Sequence, residues 1–211
     1  MRVLDFPQGT EEWAQARAGR VTASRIDAVL SRARDRKTEG ATRRNYKAQI
    51  ISEIITGRPQ ESVYSNKAME DGLEYEPLAR GAYEVAHGVL VDLVGFVLHP
   101  TIERAGASPD GLVGIDGLVQ IKCPYPATHI GYILAGVVPS DYEPQMVWEM
   151  ACAERGWCDF VSYCNAFPPH LQLFVVRLQR DEKRIAAVTA EVNVFLLEVD
   201  EIIEKLNRRA A

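Results

Sequence analysis

The chain has 211 residues, 47% of them hydrophobic and 25% charged, and its formal net charge at pH 7 is −5. The negative balance argues against a protein that coats nucleic acid without selectivity. No apolar run approaches about 20 residues and no signal pattern opens the chain, so we expect a cytoplasmic protein with no membrane segment. One domain is expected over residues 1–211, with a core at about 13–178 and a C-terminal helix at about 181–207.

Two short helices are predicted near the N-terminus. Thr10 can cap the first helix, and the second begins near Thr22. Arg17 therefore lies at the end of one helix and Ser24 at the start of the next, where free backbone N–H groups favour an anion. A surface arginine and a capping serine are the alternative interpretation of the same two residues.

A basic segment occupies residues 32–47, where seven basic side chains accompany two acidic ones. The basic residues are Arg32, Arg34, Arg36, Lys37, Arg43, Arg44 and Lys47. Contact with a phosphate backbone explains such a cluster, and a solvated loop and helix face explains it equally well. The motifs elsewhere in the chain decide between the two.

Helices and strands follow in the middle of the chain. Residues 41–56 and 66–87 carry apolar positions at helical spacing, and Pro77 can kink or divide the second helix. Residues 89–98 predict a strand pair, or one long strand with an irregularity at Gly95.

A β-hairpin is predicted next, immediately after an aspartate in a tight turn. Residues 112–115 and 118–123 are two β-rich runs, and the Asp-Gly pair at 116–117 between them is a strong two-residue turn signal. Proline and glycine flank Asp110 just before the first run, and both residue types favour turns.

The second strand of this hairpin can bring polar side chains to Asp110. Because side chains alternate along a strand, Gln120 and Lys122 point to one side and Ile121 to the other. An aspartate, an oxygen-bearing side chain and a lysine on one side can hold Mg²⁺ against a phosphodiester, with the ammonium free to orient water.

The rest of the chain predicts two helices, two strands and a final long helix. The helices lie at 126–135 and 141–154, the strands at 160–163 and 171–178, and the amphipathic final helix at 181–207. The apolar stripe of the final helix indicates core packing, with a subunit contact as the alternative.

The four cysteines include no Cys-x-x-Cys pair, which favours buried reduced thiols. The pattern predicts an α/β fold, a single domain with a central mixed β-sheet flanked by helices.

The hairpin region resembles the PD-(D/E)xK nuclease superfamily, in which an aspartate precedes a Glu-x-Lys triplet by about ten residues. Here Asp110 lies ten residues before Gln120, and Lys122 completes the triplet. Four stretches in the same order make the chain similar to the lambda-exonuclease-like (viral alkaline exonuclease) branch, which implies a restriction-endonuclease-like core. The stretches are 13–24, 68–76, 108–124, and 142–145 with the helix that follows.

The resemblance implies an enzyme, a Mg²⁺-dependent 5′ to 3′ DNA exonuclease, with two bound ions and with Mn²⁺ as an alternative metal. Such an enzyme degrades one strand of linear duplex DNA to mononucleotides and leaves a 3′ single-stranded overhang. The implied partners are double-stranded DNA ends, two further copies of the chain in a homotrimeric ring, and a single-strand annealing recombinase. The implied location is the cytoplasm of a bacterial or phage-infected cell.

The resemblance also implies roles for individual residues. The implied metal ligands are Asp110, Gln120, the Ile121 carbonyl and Glu76. The implied 5′-phosphate ligands are Arg17, Ser24, Ser108 and Gln145. Lys122 would orient or activate the attacking water, and the basic segment and Tyr142 would contact DNA. Met69 matches a residue that wedges into the duplex end, although core packing explains it nearly as well.

One position departs from the family pattern. The family has glutamate where this chain has Gln120, and a neutral amide is a weaker ligand for a hard cation than a carboxylate. Gln120 is either an engineered Glu→Gln change or a natural variation, with or without a nearby carboxylate that compensates. The intact remainder of the motif favours engineering, and with it slow or absent cleavage.

Two other functions fit the same motifs. The fold can serve a site-specific or structure-specific endonuclease, which would cut closed circular DNA as well as linear DNA. A chain that has naturally lost its metal carboxylate can instead be a catalytically silent DNA-binding module, which would stay inactive even with glutamate restored at position 120.

Overall fold

Two β-sheets and eight α-helices make up the described part of the chain. The computed structural model describes residues 1–33, 39–60 and 67–209, without the side chains of 67–73 and 209. The strands are β1 (Arg2–Leu4), β2 (Val21–Thr22), β3 (Val91–Asp92), β4 (Phe96–Leu98), β5 (Ala105–Ala107), β6 (Gly111–Val113), β7 (Gly117–Lys122), β8 (Trp157–Tyr163) and β9 (Leu173–Gln179). The helices are α1 (Glu11–Arg17), α2 (Ile26–Leu30), α3 (Ala41–Thr56), α4 (Lys67–His87), α5 (Pro126–Ala135), α6 (Glu143–Ala153), α7 (Pro169–Gln172) and α8 (Glu182–Arg209).

The larger sheet has five strands in the order β3-β6-β7-β8-β9. β7 and β8 run parallel, and the other neighbouring pairs are antiparallel. A parallel pair requires a crossover connection, and the chain between β7 and β8 supplies it with α5 and α6. The predicted central mixed sheet is confirmed.

A second sheet, in the order β1-β4-β5-β2, lies outside the sequence prediction. Its strands have only two or three residues, too few to show alternation. The predicted 89–98 stretch is confirmed as two strands, but they enter different sheets. Gly95 separates them, and a Cβ there would lie 2.4 Å from the Leu4 carbonyl oxygen.

The two faces of the larger sheet pack against different helices. Leu118 belongs to the main core, which includes residues of α6 and α8, whereas Val119 and Ile121 belong to a smaller core with residues of α4. Because side chains alternate along β7, Gln120 and Lys122 lie on the α6 side with Leu118. The predicted separation of Ile121 from its two neighbours is therefore confirmed.

The predicted hairpin is confirmed, but its turn differs from the prediction. Gly117 pairs with Val113 as the first residue of β7, so it is a strand residue. The turn comprises residues 114–116, with Gly114 at a φ of 53°. Gly117 is required for another reason, because a Cβ there would lie 2.2 Å from the Trp157 ring.

The long helices agree with the prediction. α3 ends at Gly57 in the left-handed conformation, and α4 continues through Pro77 as one helix. The apolar stripe of α8 is buried, which confirms core packing. Its buried residues are Ile185, Val188, Val192, Phe195, Leu196 and Val199.

All four cysteines are free. None of the described helices is long and apolar enough to cross a membrane.

The basic segment is only partly available to DNA. Arg43 and Lys47 are buried on α3, where both pair with Glu198 of α8 at 2.8 Å and 2.5 Å and with Glu39 at 3.6 Å and 2.5 Å. Their charged groups are used inside the protein, so the structure gives no support to the predicted contact of these two residues with DNA.

Of the remaining basic residues, Arg32 and Arg44 belong to the described part of the chain. Arg32 pairs with Glu191 of α8 at 2.5 Å, and Arg44 is exposed. The predicted contacts of Arg34, Arg36 and Lys37 lie outside the described residues.

We predict that Glu198→Gln destabilises the protein by about 2 kcal/mol, because it leaves two buried cations short of a partner. The expected cost is below that of a fully buried pair, since the Glu198 side chain is 35% exposed. Urea unfolding measures the change. The matched control is Glu201→Gln, an exposed residue of the same helix, which should change stability by less than about 0.5 kcal/mol. Equal stability of the two variants would contradict a structural role for the pairs.

Candidate active site

The site is centred on Asp110, which lies in the turn before β6 and is held by β7. Its Oδ2 atom accepts hydrogen bonds from the Gln120 side-chain amide at 2.5 Å and from the Ile121 backbone N–H at 2.6 Å. A residue near the N-terminus also holds the turn, because the Gln8 side-chain amide donates a hydrogen bond to the Pro109 carbonyl at 2.8 Å. Asp110 therefore has a defined position against β7.

A chain of two amides connects Asp110 to a second carboxylate. The Gln145 amide nitrogen on α6 donates to Gln120 Oε1 at 2.7 Å and to Glu149 Oε1 at 2.9 Å. Glu149 is fully buried, and its Oε2 has no hydrogen-bond partner among the described residues. We call the series Asp110, Gln120, Gln145 and Glu149 the amide relay.

Glu149 has no predicted role, although the sequence carries a signal for it. It is a charged residue inside the apolar run Met-Val-Trp-Glu-Met-Ala-Cys-Ala, and it lies four residues after Gln145. A charge in an otherwise apolar helix face is informative because ionised side chains are rarely fully buried.

Glu76 and Lys122 complete the acidic and basic groups around Asp110. Burial and the charge of Asp110 raise the pKa of Glu76, against the opposing effects of Arg80 and Lys122. Burial also raises the pKa of Asp110, and Lys122 and the Ile121 N–H oppose it. Glu76, Asp110 and Lys122 are therefore close enough for their charges to interact, and their predicted catalytic roles stay predictions.

Two contacts place the positive charges of the site. The Lys122 ammonium lies 5.3 Å from the centre of the Tyr142 ring, a cation–π distance. Arg80, one turn after Glu76 on α4, lies 3.7 Å from its carboxylate. Arg80 is a functional candidate that sequence reasoning missed, and its helical spacing from Glu76 was the available signal.

The donor chemistry suits a hard divalent cation. Among the described residues, no three Asp, Glu, His or Cys side chains are arranged to hold a metal ion. However, burial and the charge of Asp110 raise the pKa of both Glu76 and Glu149, that of Glu149 to about 8. A cation relieves that repulsion, and oxygen donors are the ligands that Mg²⁺ and Mn²⁺ prefer.

A candidate anion pocket lies beside the site and is organised by Trp13. Its indole N–H donates to Ser108 Oγ at 2.9 Å, and the Arg17 guanidinium lies 3.9 Å from its ring centre. Arg17 also donates to Ser24 Oγ at 3.2 Å. Contacts with Trp13 and Arg17 therefore connect three of the four predicted phosphate ligands, and one of them, Ser108, lies two residues before Asp110 in the sequence.

The fourth predicted phosphate ligand, Gln145, lies in the amide relay, where its side-chain nitrogen already makes two hydrogen bonds. The side chain of Met69 lies outside the described residues, so its predicted contact with the duplex end stays a prediction.

A mixed sheet whose hairpin carries Asp110 and Lys122 beside a helix glutamate defines the class, a restriction-endonuclease-like fold with a site of the PD-(D/E)xK type. Within that class, residues 12–156 match the YqaJ-like viral recombinase domain. The chain belongs to that family, in the lambda-exonuclease-like branch of the superfamily. No curated protein matches the chain.

Solved structures that resemble the chain include two of one exonuclease and one of another. An alkaline exonuclease from Laribacter hongkongensis, LHK-Exo, has a TM-score of 0.87 and 46% identity over 95% of this chain and 98% of its own. LHK-Exo in complex with dAMP gives the same values. A phage-related exonuclease from Haemophilus somnus 129PT has a TM-score of 0.70 and 15% identity, over 89% of this chain and 96% of its own, and it shows a shared fold.

We predict that Gln120→Glu destabilises the metal-free protein by about 2 kcal/mol or more, because it places a second buried carboxylate against Asp110 and removes an amide donor. Thermal unfolding in EDTA measures the loss, and added Mg²⁺ should restore most of it. Gln179→Glu, at an exposed position on β9, is the matched control. A Gln120→Glu protein as stable as the control in EDTA would contradict the role of the Gln120 amide.

Proposed function

We propose that the protein is a metal-dependent 5′ to 3′ exonuclease. It degrades one strand of linear duplex DNA to mononucleotides and leaves a 3′ single-stranded overhang. The observation that carries this proposal is the attachment of Asp110 by hydrogen bonds to β7, the strand that ends in Lys122, with Glu76 close enough for the charge of Asp110 to act on it. Membership of the family and the likeness to LHK-Exo, which is described as an alkaline exonuclease, support the same activity.

Asp110, the Ile121 carbonyl and Glu76 are the proposed residues that hold Mg²⁺ or Mn²⁺. When bound, two such ions supply charge that stabilises the attacking and leaving oxygens of an in-line displacement. Lys122 is the proposed group that orients or activates the attacking water. Its ammonium lies 5.3 Å from the centre of the Tyr142 ring, and its N–H groups can donate to water or to phosphate oxygens.

The anion pocket gives the proposed enzyme its dependence on DNA ends. Arg17, Ser24 and Ser108 offer a guanidinium and two hydroxyls to a terminal 5′ phosphate, and Trp13 holds two of these groups in place. Each cut then releases one mononucleotide and creates a new 5′ phosphate. The binding of dAMP, a mononucleotide, by LHK-Exo agrees with this product.

The proposed biological setting is recombination by strand annealing, in agreement with the recombinase description of the family. The proposed partners are DNA ends, two further copies of the chain in a ring-shaped homotrimer, and a single-strand annealing recombinase. The proposed location is the cytoplasm of a bacterial or phage-infected cell. Arg44, exposed on α3, is a proposed contact with the DNA backbone.

We predict that the protein digests 5′-phosphorylated linear duplex DNA in the presence of Mg²⁺ and leaves a covalently closed circle intact. Asp110→Asn should lower the rate by about 10³-fold, since it removes the central carboxylate. Release of mononucleotides from end-labelled and internally labelled DNA measures the rate and the direction.

Arg58→Ala is the matched control, because Arg58 is exposed on the loop after α3; it should retain the native rate. Cutting of the closed circle would instead support an endonuclease. Absence of cleavage by both the native chain and Gln120→Glu would support a silent DNA-binding module.

A further inference from the structure

We propose that Glu149 supplies a further carboxylate of the metal site beside Asp110, in place of the glutamate that the family pattern has at position 120. Gln120 is then a positioning residue that fixes Asp110. The inference rests on the proposed metal-dependent function, and it deepens that function by assigning a ligand outside the sequence motif.

Position 120 is unsuited to binding the cation itself. The Gln120 amide nitrogen donates to Asp110 and its oxygen accepts from Gln145, so both polar atoms are already hydrogen-bonded. The side chain is fully buried and carries no charge. It can orient a carboxylate, but it cannot offset the charge of a divalent ion.

Glu149 offers the missing charge at a short distance from position 120. One nitrogen atom, Nε2 of Gln145, is within hydrogen-bonding distance of both Gln120 Oε1 and Glu149 Oε1. The Glu149 carboxylate therefore lies close to the place where a glutamate at position 120 would carry its own. The side chain of Gln145 joins the two positions.

The unpartnered oxygen of Glu149 points to a ligand. A fully buried glutamate with one oxygen unsatisfied among the described residues is costly, by roughly 1–3 kcal/mol for the missing partner alone. The carboxylate is within range of Asp110 and Lys122, whose charges act on it. A cation held between Asp110 and Glu149 would satisfy the free oxygen and both charges together.

Exchange of the two side chains tests the inference. Mn²⁺ is titrated calorimetrically into four metal-free proteins: the native chain, Glu149→Gln, Gln120→Glu, and the double variant Gln120→Glu with Glu149→Gln. Glu149→Gln should weaken Mn²⁺ binding by about tenfold or more. The double variant has the composition of the native chain with its carboxylate moved to β7, and it should recover most of the affinity.

A second measurement separates ligand loss from misfolding. Glu149→Gln removes an unsatisfied buried carboxylate, so its unfolding temperature in EDTA should equal or exceed that of the native chain, while its stabilisation by Mn²⁺ should fall. Glu103→Gln, at an exposed position, is the charge-matched control and should bind Mn²⁺ as the native chain does.

Native Mn²⁺ affinity in Glu149→Gln would overturn the inference, and so would a double variant that binds Mn²⁺ no more tightly than Glu149→Gln does. Failure of the proposed function is a separate outcome. Mn²⁺ binding by the native chain, with no degradation of DNA by either the native chain or Gln120→Glu, would refute the nuclease. The effect of Glu149→Gln on Mn²⁺ affinity would still decide the ligand.

Discussion

The hydrogen bonds that Asp110 accepts from β7 are the constraint on which the rest of the site depends. One donor is the backbone N–H of Ile121, so the position of Asp110 depends on the register between β6 and β7. A slip by one residue would turn Gln120 and Lys122 toward α4 and bring apolar side chains to the carboxylate. On its other edge, β7 is positioned against β8, where Gly117 packs closely against Trp157.

The parallel pairing of β7 and β8 has a chemical consequence. It requires a crossover, and the crossover helix α6 brings Gln145 and Glu149 against the face of β7 that carries Gln120. Strand β7 therefore forms one side of the site, and the crossover helix α6 forms the other. This arrangement favours the interpretation of Gln120 as a natural variation with a compensating carboxylate over an engineered change.

Local signals in the sequence were sufficient for the hairpin, the long helices and their ends, because caps and periodicity act over a few residues. The second sheet was missed because its strands are too short for a pattern. Burial of Arg43 and Lys47 could not be predicted, since their partner Glu198 is about 150 residues away in sequence. The sequence spacing of four residues indicates that Glu149 lies one helical turn after Gln145. Only the fold shows that this part of α6 packs against the face of β7 that carries Gln120.

The most direct test of the account is to locate the cation in crystals of the protein soaked with Mn²⁺, by anomalous scattering. The account predicts an anomalous peak for a Mn²⁺ ion bound by the Asp110 carboxylate, on the α6 side of β7 and near Glu76. Mn²⁺ bound elsewhere in the protein, with none in contact with Asp110, would contradict it.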